Sequence, residues 1–421
     1  MIKFQLFSLR KAEKCGILNQ IVIVVEEKWC QMHKFRLDSE HLEQYFLEVM
    51  SGRRRRWFDR MLINVLFVAS RFYRMAVQFR VWMYDKRVIR NHALGCLVVS
   101  IGNLSCGGTG KTPVVEVFAR TLSANGRKVA ILSRGYRSKK RTFGEKIAHV
   151  FQHRKIETPP KVVSDGKNLL LNSEYAGDEP YMLASNLHDV AVVVDKDRVK
   201  SGIYAIDNFQ SDVIILDDGF QYLMLKPHIN IVLVDSSDPF GNGHVLPRGI
   251  LREPIKNIRR ADYIFLTKSD GSHRIGHLKR FLRRHTRRAE IIECCHKPQH
   301  LVTLESKEIL PLSALKTARV AALSAIARPD SFERFLEDFG AELVLKDHFA
   351  DHHRYTQQEI IDFVNQAKAA GAEMIVTTEK DAVRIPRLDR CDVPILYLRI
   401  QIDILSGQES FNQCISRICF M

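Results

Sequence analysis

The chain has 421 residues, 46% of them hydrophobic, enough to bury a sizeable core and to form about two domains. Its formal net charge of +16 points to acidic partners: phosphates, nucleic acid or an anionic membrane surface. The nine cysteines form no CxxC pair and no regular spacing, so packing in a reducing compartment is expected and a disulfide scaffold is not. No uninterrupted apolar run reaches the roughly 18 residues of a membrane span, and "GILNQIVIVV" runs into "EEKWC" without the cleavage site of a signal peptide.

Residues 1–56 read as an extension that ends in the basic run Arg53 to Arg56, with Met32 as a second candidate start. Residues 57–90 follow as one helix. Arg60, Asn64, Arg71, Arg74, Gln78 and Asp85 fall within about 40° of one line along it, and most of the remaining circumference is Leu, Ile, Val, Phe, Trp and Met. A narrow polar stripe on a broad apolar helix suits a bilayer interface, with the arginines against anionic headgroups. The competing reading is a core helix packed on a sheet. Trp57 and Trp82 near its ends favour the membrane.

From about residue 96, short β-branched runs alternate with helical stretches. "CLVVSIGN", "KVAILSRG", "VAVVVD", "DVIILDD", "INIVLVD" and "DYIFLTK" are the strands; 111–124, 179–187 and 198–208 are helices. Continuous apolar strands between helices predict a parallel sheet covered on both faces, a three-layer α/β/α fold. The Gly/Pro-rich "DPFGNGHVLPRGILREP" places a boundary within 236–260. We expect a nucleotide-binding domain over 91–240 and a second α/β domain over 241–421, with "RRAEIIECC", "RVAALSAI", "EMIVTTEKD" and "VPILYLRI" as further strands.

The stretch "SIGNLSCGGTGKTP" joins a strand to a helix through a phosphate cradle. Gly107, Gly108, Thr109 and Gly110 bend the backbone so that N–H groups face phosphate oxygens, although Ser105 stands where the usual GxxxxGK[ST] pattern has glycine. Lys111 adds a point charge, and the Thr112 hydroxyl can ligate Mg²⁺. Asp217 and Asp218 end a buried strand, where an acid can hold that Mg²⁺ directly or through water. Arg134, Tyr136, Asp178, Glu179, Arg198, Arg252, Glu253 and Asp351 to His353 sit at other strand ends and loops, where an α/β sheet keeps its site. The adjacent His352 and His353 cannot both face one ion from a regular element, so "DHH" reads as catalytic support or as a solvated loop. "LTKSD", Thr267 to Asp270, is similar to the guanine-reading box of GTPases; a plain strand end is the preferred reading, because no DxxG switch follows the phosphate loop. The basic run Arg280, Arg283, Arg284, Arg287 and Arg288 faces membrane phosphates or solvent. A nucleic-acid partner is not expected, since aromatic residues do not interleave with the charge.

In their order, "GNLSCGGTGKTP", "SRGY", "GDEPYMLA", "DDGFQ", "GNGHVLPRGILREP", "DHH.Y" and "TTEKDAVR" resemble the tetraacyldisaccharide 4′-kinase family of lipid A synthesis, over about residues 57–386. The resemblance implies two α/β/α domains with the site in the cleft, joined by a two-stranded linker. It implies transfer of phosphate from ATP, with Mg²⁺, to the 4′-hydroxyl of tetraacyldisaccharide 1-phosphate, forming lipid IVA. Carried over by motif, Lys111, Asp178 and His352 are catalytic, the last two as an aspartate–histidine pair. Gly107 to Thr112, Asp217, Asp218 and Arg252 bind ATP; Thr112, Asp217 and Glu253 hold the metal; Arg134, Tyr136, Glu179, Arg198 and Gln221 contact the substrate. The family usually has His after "DDGFQ"; here it is Tyr222. A monomer on the cytoplasmic face of the inner membrane is expected. The rival function is a phosphate-loop GTPase.

Overall fold

The computed structural model describes residues 48–49, 56–135, 159–326, 329–350, 353–386, 388 and 391–420. These fall into two compact units: one reaches Tyr73 and includes Gly241–Ile250, the other holds Arg74–Phe240 and the chain from Leu251 onward.

Helix α1 (Trp57–Asp85) runs through the division between them. Its 29 residues span about 43 Å at 1.5 Å per residue. One side of it is partly buried, with Val81 and the intermediate Ile63, Leu66 and Val77 on it. Asp59 and Ser70 are buried, while Met61, Val65, Val68, Phe72, Met75, Phe79 and Trp82 are exposed. These seven positions alternate in steps of four and three and so form one straight seam. Phe79 stacks on Trp82 with ring centroids 5.7 Å apart.

In the larger unit the chain runs β1 (Leu97–Asn103), α2 (Lys111–Ala124), β2 (Val129–Ser133), β3 (Lys161–Asp165), α3 (Ser173–Ala176), α4 (Asp178–Asn186), β4 (Val190–Val194), α5 (Arg198–Phe209), β5 (Val213–Asp217) and β6 (Ile229–Asp235). It continues through β7 (Tyr263–Thr267), α6 (His273–His285), β8 (Glu290–Thr303), β9 (Ile309–Pro311), β10 (Arg319–Ser324), α7 (Pro329–Asp338) and β11 (Glu342–His348). Then follow α8 (Gln357–Ala369), β12 (Met374–Thr378), α9 (Glu379–Ala382), β13 (Ile395–Ser406) and α10 (Gln408–Cys419). All thirteen strands belong to one sheet, ordered β11-β10-β12-β13-β8-β7-β6-β1-β5-β2-β4-β3, with β9 beside β8.

Strands β1, β2 and β4 to β7 are parallel and buried along nearly their whole length, as their continuous apolar runs require. One face of this half carries α2, with Phe118 meeting Phe265 and Phe411 edge to face. The other face is closed by Ala205, Leu225 and the even-numbered side chains of β5. Strands β10, β11, β12 and β13 form a second parallel group with apolar clusters on both faces.

The junction between the groups is the long antiparallel pair of β8 and β13. Strand β7 still pairs with β6, with Asp235 opposite Thr267. The change of partners thus falls at β8, beyond the Gly/Pro-rich loop over 236–260. A loop rich in glycine and proline looks like a domain boundary, but hydrogen bonding continues past it. Three strands were not foreseen. Of these, β3 is an edge strand antiparallel to β4, and β9 is a three-residue partner of β8. Strand β11 (ELVLKDH) is polar and only partly buried, so it lacks the apolar run that marks the others.

Candidate active site

The phosphate loop lies between β1 and α2. Gly110 is in the left-handed region, at φ 74°, and caps α2, so Lys111 and Thr112 start a helix whose first N–H groups have no helical acceptor. A Cβ on Gly110 would also stand 2.6 Å from His296 Nε2. Asn103 Nδ2 donates to the Ser105 carbonyl and to Thr109 Oγ1, holding the bend from inside. Ser105, in place of the usual glycine, bridges to Leu251, and the Arg252 N–H donates to the Leu104 carbonyl. The loop is therefore stitched to the segment that carries Arg252.

Two contacts to this loop come from "LTKSD". Thr267 Oγ1 donates to the Thr109 carbonyl at 2.8 Å, and Lys268 Nζ donates to the Gly108 carbonyl at 2.6 Å and to Asp235 Oδ2 at 2.7 Å. The segment braces the phosphate loop, a role that the sequence reading as a plain strand end missed. Behind it lies His296. Burial, aided by the nearby Lys268 charge, pushes its imidazole down to about 4, so it is neutral at physiological pH.

Asp217 and Asp218 end β5 and behave in opposite ways. Asp217 is buried and accepts from Ser133 Oγ at 2.9 Å. Burial, with Glu179 and Asp218 adding like charge, pushes it up to about 6. Asp218 adopts φ 53° and turns its carboxylate to Arg252 Nη1 at 2.6 Å and Lys111 Nζ at 3.4 Å. Burial would raise its proton affinity, but the two cations outweigh burial and lower it. Asp218 thus aims Lys111, while at Asp217 burial and the like charges of Glu179 and Asp218 outweigh the cations nearby.

Arg198 is buried and donates from Nη2 to the Asp217 carbonyl at 2.9 Å, and its guanidinium lies 5.0 Å from the Tyr222 ring centre. The Tyr222 hydroxyl accepts from the Arg198 N–H at 3.0 Å and lies 3.4 Å from Asp197 Oδ1. Asp197 in turn caps α5. The phenol thereby serves the start of α5. Gln221 donates from Nε2 to the Asn103 carbonyl at 2.8 Å, and its own carbonyl accepts from Arg80. Arg134 is exposed at the end of β2.

Glu253, read from the sequence as a metal ligand, turns its buried carboxylate elsewhere. Its Oε2 accepts from Asn257 Nδ2 at 2.7 Å and from Arg260 Nη2 at 2.6 Å, a structural pair beneath Phe220. Among the described residues no group of three or more His, Cys, Asp or Glu could hold a metal ion. The donor set still suits Mg²⁺ delivered with a nucleotide, because Mg²⁺ takes one or two carboxylates and fills its sphere with water and phosphate oxygens. Asp217, buried beside like charges, and the Thr112 hydroxyl would be those donors.

Asp178 opens α4 behind Gly177 and has two cations. Arg384 Nε donates to its Oδ2 and Arg354 Nη2 to its Oδ1, both at 2.9 Å. Neither arginine was expected from the sequence; "TTEKDAVR" contains Arg384 but gives no sign of its partner. His352 and Tyr136 lie outside the described residues. His353 is committed to Glu359 Oε2 at 3.1 Å, inside the capping box of α8, and stacks on Phe349.

Comparisons with known proteins place the chain in a family. The family model for tetraacyldisaccharide-1-P 4′-kinase matches residues 62–419. The tetraacyldisaccharide 4′-kinase of Anaeromyxobacter sp. (strain Fw109-5) is 37% identical over 84% of this chain and 91% of its own length. That of Anaeromyxobacter sp. (strain K) is 42% identical over 76% of this chain and 80% of its own. Among solved structures, apo-form LpxK from Aquifex aeolicus in complex with ATP is similar with a TM-score of 0.65 at 29% identity, covering 85% of this chain and 99% of that one. A family match running from α1 to α10, over a site built on a phosphate loop, is decisive: the chain belongs to the tetraacyldisaccharide-1-P 4′-kinase family.

Proposed function

We propose that the chain transfers the γ-phosphoryl group of ATP to the 4′-hydroxyl of tetraacyldisaccharide 1-phosphate, yielding lipid IVA. The observation that carries this is the juxtaposition of Lys111, Asp218 and Arg252 with the unbalanced Asp217 at the phosphate loop, in a chain of this family. Phosphoryl transfer demands little covalent chemistry from a protein; it demands position and charge. The loop N–H groups hold the β- and γ-phosphates, and Lys111, aimed by Asp218, follows the charge as it moves. Thr112 and Asp217 would hold a Mg²⁺ ion arriving with the nucleotide, and such an ion would supply charge neutralisation. Arg134 and Arg198 add positive charge beside Asp217. Asp178 takes the proton from the acceptor hydroxyl; a loose transition state asks little of that base because the proton leaves late. The two parallel strand groups serve as two α/β lobes around the site, with β8 and β13 as their linker.

The acceptor is a lipid, and the exposed apolar seam of α1 suits the membrane that carries it. No helix among the described residues is long and apolar enough to cross a membrane. The exposed Arg280, Arg283, Arg284, Arg287 and Arg288 on and just after α6 match anionic headgroups. We place the enzyme, as a monomer, on the cytoplasmic face of the inner membrane, where ATP is available.

The test is a kinase assay with purified protein, the disaccharide 1-phosphate lipid and MgATP or MgGTP, together with flotation on anionic vesicles. ATP-dependent product and flotation abolished by Phe72→Ser with Phe79→Ser are expected. Lipid-independent GTP hydrolysis would favour the GTPase reading. A dimer in detergent-free solution, lost in the same double variant, would assign the seam to a second copy of the chain.

A further inference from the structure

Arg384 is a deeply buried cation near the site. Its side chain is fully buried, yet it carries a full charge, so its placement must be compensated. Two carboxylates do this. Asp178 Oδ2 accepts from Nε at 2.9 Å, and Asp381 Oδ1 accepts from Nη1 at 3.2 Å. Asp381 is itself fixed, because its Oδ2 accepts from the Ala325 N–H at 3.0 Å and from Thr378 Oγ1 at 2.7 Å. Arg384 is therefore clamped on the side of β10 and β12, and it presents one remaining guanidinium edge to Asp178. Asp178 sits 206 positions earlier in the chain, at the start of α4, beside β4.

Other contacts close the same seam. Ser173 Oγ donates to the Val383 carbonyl at 2.9 Å, Arg354 Nη2 donates to the Ser173 carbonyl at 3.2 Å, and Asn186 Nδ2 donates to Glu379 Oε1 at 2.6 Å. Helices α3 and α4 are thus laid against the turn that follows β12. Separating the two strand groups would strip Asp178 of Arg384. Arg354 is different: its side chain is 40% exposed and it reaches Asp178 from the rim. A solvated, flexible arginine holds direction far less well than a buried one with a second carboxylate behind it.

We infer that Arg384 is a positioning residue for the phosphoryl transfer: it aims the Asp178 carboxylate and makes that aim depend on the two strand groups being closed together. The inference rests on the reading of Asp178 as the base. Arg384 is fully buried behind Asp178, so its loss is expected to act on turnover rather than on ATP capture.

The experiment uses the full chain and compares Arg384→Met, Arg384→Lys, Asp178→Asn and the Arg384→Met/Asp178→Asn double variant, with melting recorded for each. Arg384→Met is expected to lower kcat by about 10²-fold, the scale of a misplaced catalytic group, with the ATP KM changed less than about 3-fold. Arg384→Lys should recover part of the loss. The double variant should be no more than about 3-fold slower than Asp178→Asn, since residues that act as a unit are non-additive. Should Arg384→Met fail to fold because Asp381 is left unpaired, Asp381→Asn/Arg384→Met removes both charges and takes its place in the cycle. Near-normal kcat in Asp178→Asn would overturn the base reading and the positioning role with it. A slow Asp178→Asn alongside a fully additive double variant, or a normal kcat in Arg384→Met, would overturn the positioning role alone.

Discussion

The carboxylates at the phosphate loop and those at Arg384 each include one buried acid, Asp217 and Asp381, but the two groups differ in how their charge is met. At the loop, Asp217 has Glu179 and Asp218 for neighbours and is pushed up to about 6, since burial and like charge outweigh Lys111. At Arg384, Asp178 and Asp381 share one buried guanidinium and Asp178 has a second from Arg354, although burial still outweighs Arg384 at Asp381 and pushes its carboxyl up. An unbalanced carboxylate is costly to the empty protein and is relieved by a cation that arrives with the ligand. A balanced one costs less and holds its geometry with the site empty. The first arrangement suits binding, the second suits alignment.

The strongest way to break this comparison is at Lys111. Replacing it with alanine removes the charge that follows the migrating phosphoryl group and frees Asp218 from one of its two cations. We expect kcat/KM to fall by at least about 10²-fold, corresponding to roughly 3 kcal/mol of transition-state stabilisation. Steady-state rates with MgATP and lipid measure it, and a loss under about 10-fold would remove Lys111 from the chemistry.

Asp217 sharpens the comparison through pH. Its folded value of about 6 lies above the ordinary 3.8, so between those values the folded protein holds a proton that the unfolded chain has released. Its contribution to stability is therefore greatest below about pH 4 and is lost as pH rises towards 6. Asp217→Asn removes that loss. The ligand-free variant should resist urea better than the parent at pH 7.5, by up to ~3 kcal/mol, and the advantage should shrink towards pH 4. It should also bind MgATP more weakly. Equal stability of the two proteins at pH 7.5 would mean that the carboxylate is already balanced.

Tyr222 tests the smallest effect. Its hydroxyl bonds the Arg198 N–H at the start of α5 and lies outside both clusters. Tyr222→Phe should cost about 1 kcal/mol in urea denaturation and leave kcat within about 2-fold. A large fall in kcat with unchanged stability would bring the phenol into the reaction.

Much of the site was legible because its signals are local. The phosphate loop declares itself through Gly107, Gly110, Lys111 and Thr112 within one turn of chain, and Asp217 and Asp218 through two acids ending an apolar strand. The brace from Lys268 was hidden because its partner is a carbonyl 160 positions away, which no side-chain pattern records. Glu253 misled for a related reason. A carboxylate beside Arg252 looks like part of the phosphate machinery, but Arg260, seven residues on at the end of a 3-10 helix, claims it.

The amino-acid sequence by itself determined the parallel strands, the helix of the phosphate loop and the 29-residue α1, because each follows from hydrophobic period and glycine placement over a few residues. Tertiary structure alone decided which way α1 faces, with Asp59 and Ser70 inward and a row of large apolar side chains outward. It decided that β8 and β13 pair antiparallel across the sheet, and that Asp178 meets Arg384. These outcomes depend on contacts between residues far apart in the chain, where burial and charge balance are settled by what the rest of the fold brings near, and no local period encodes that.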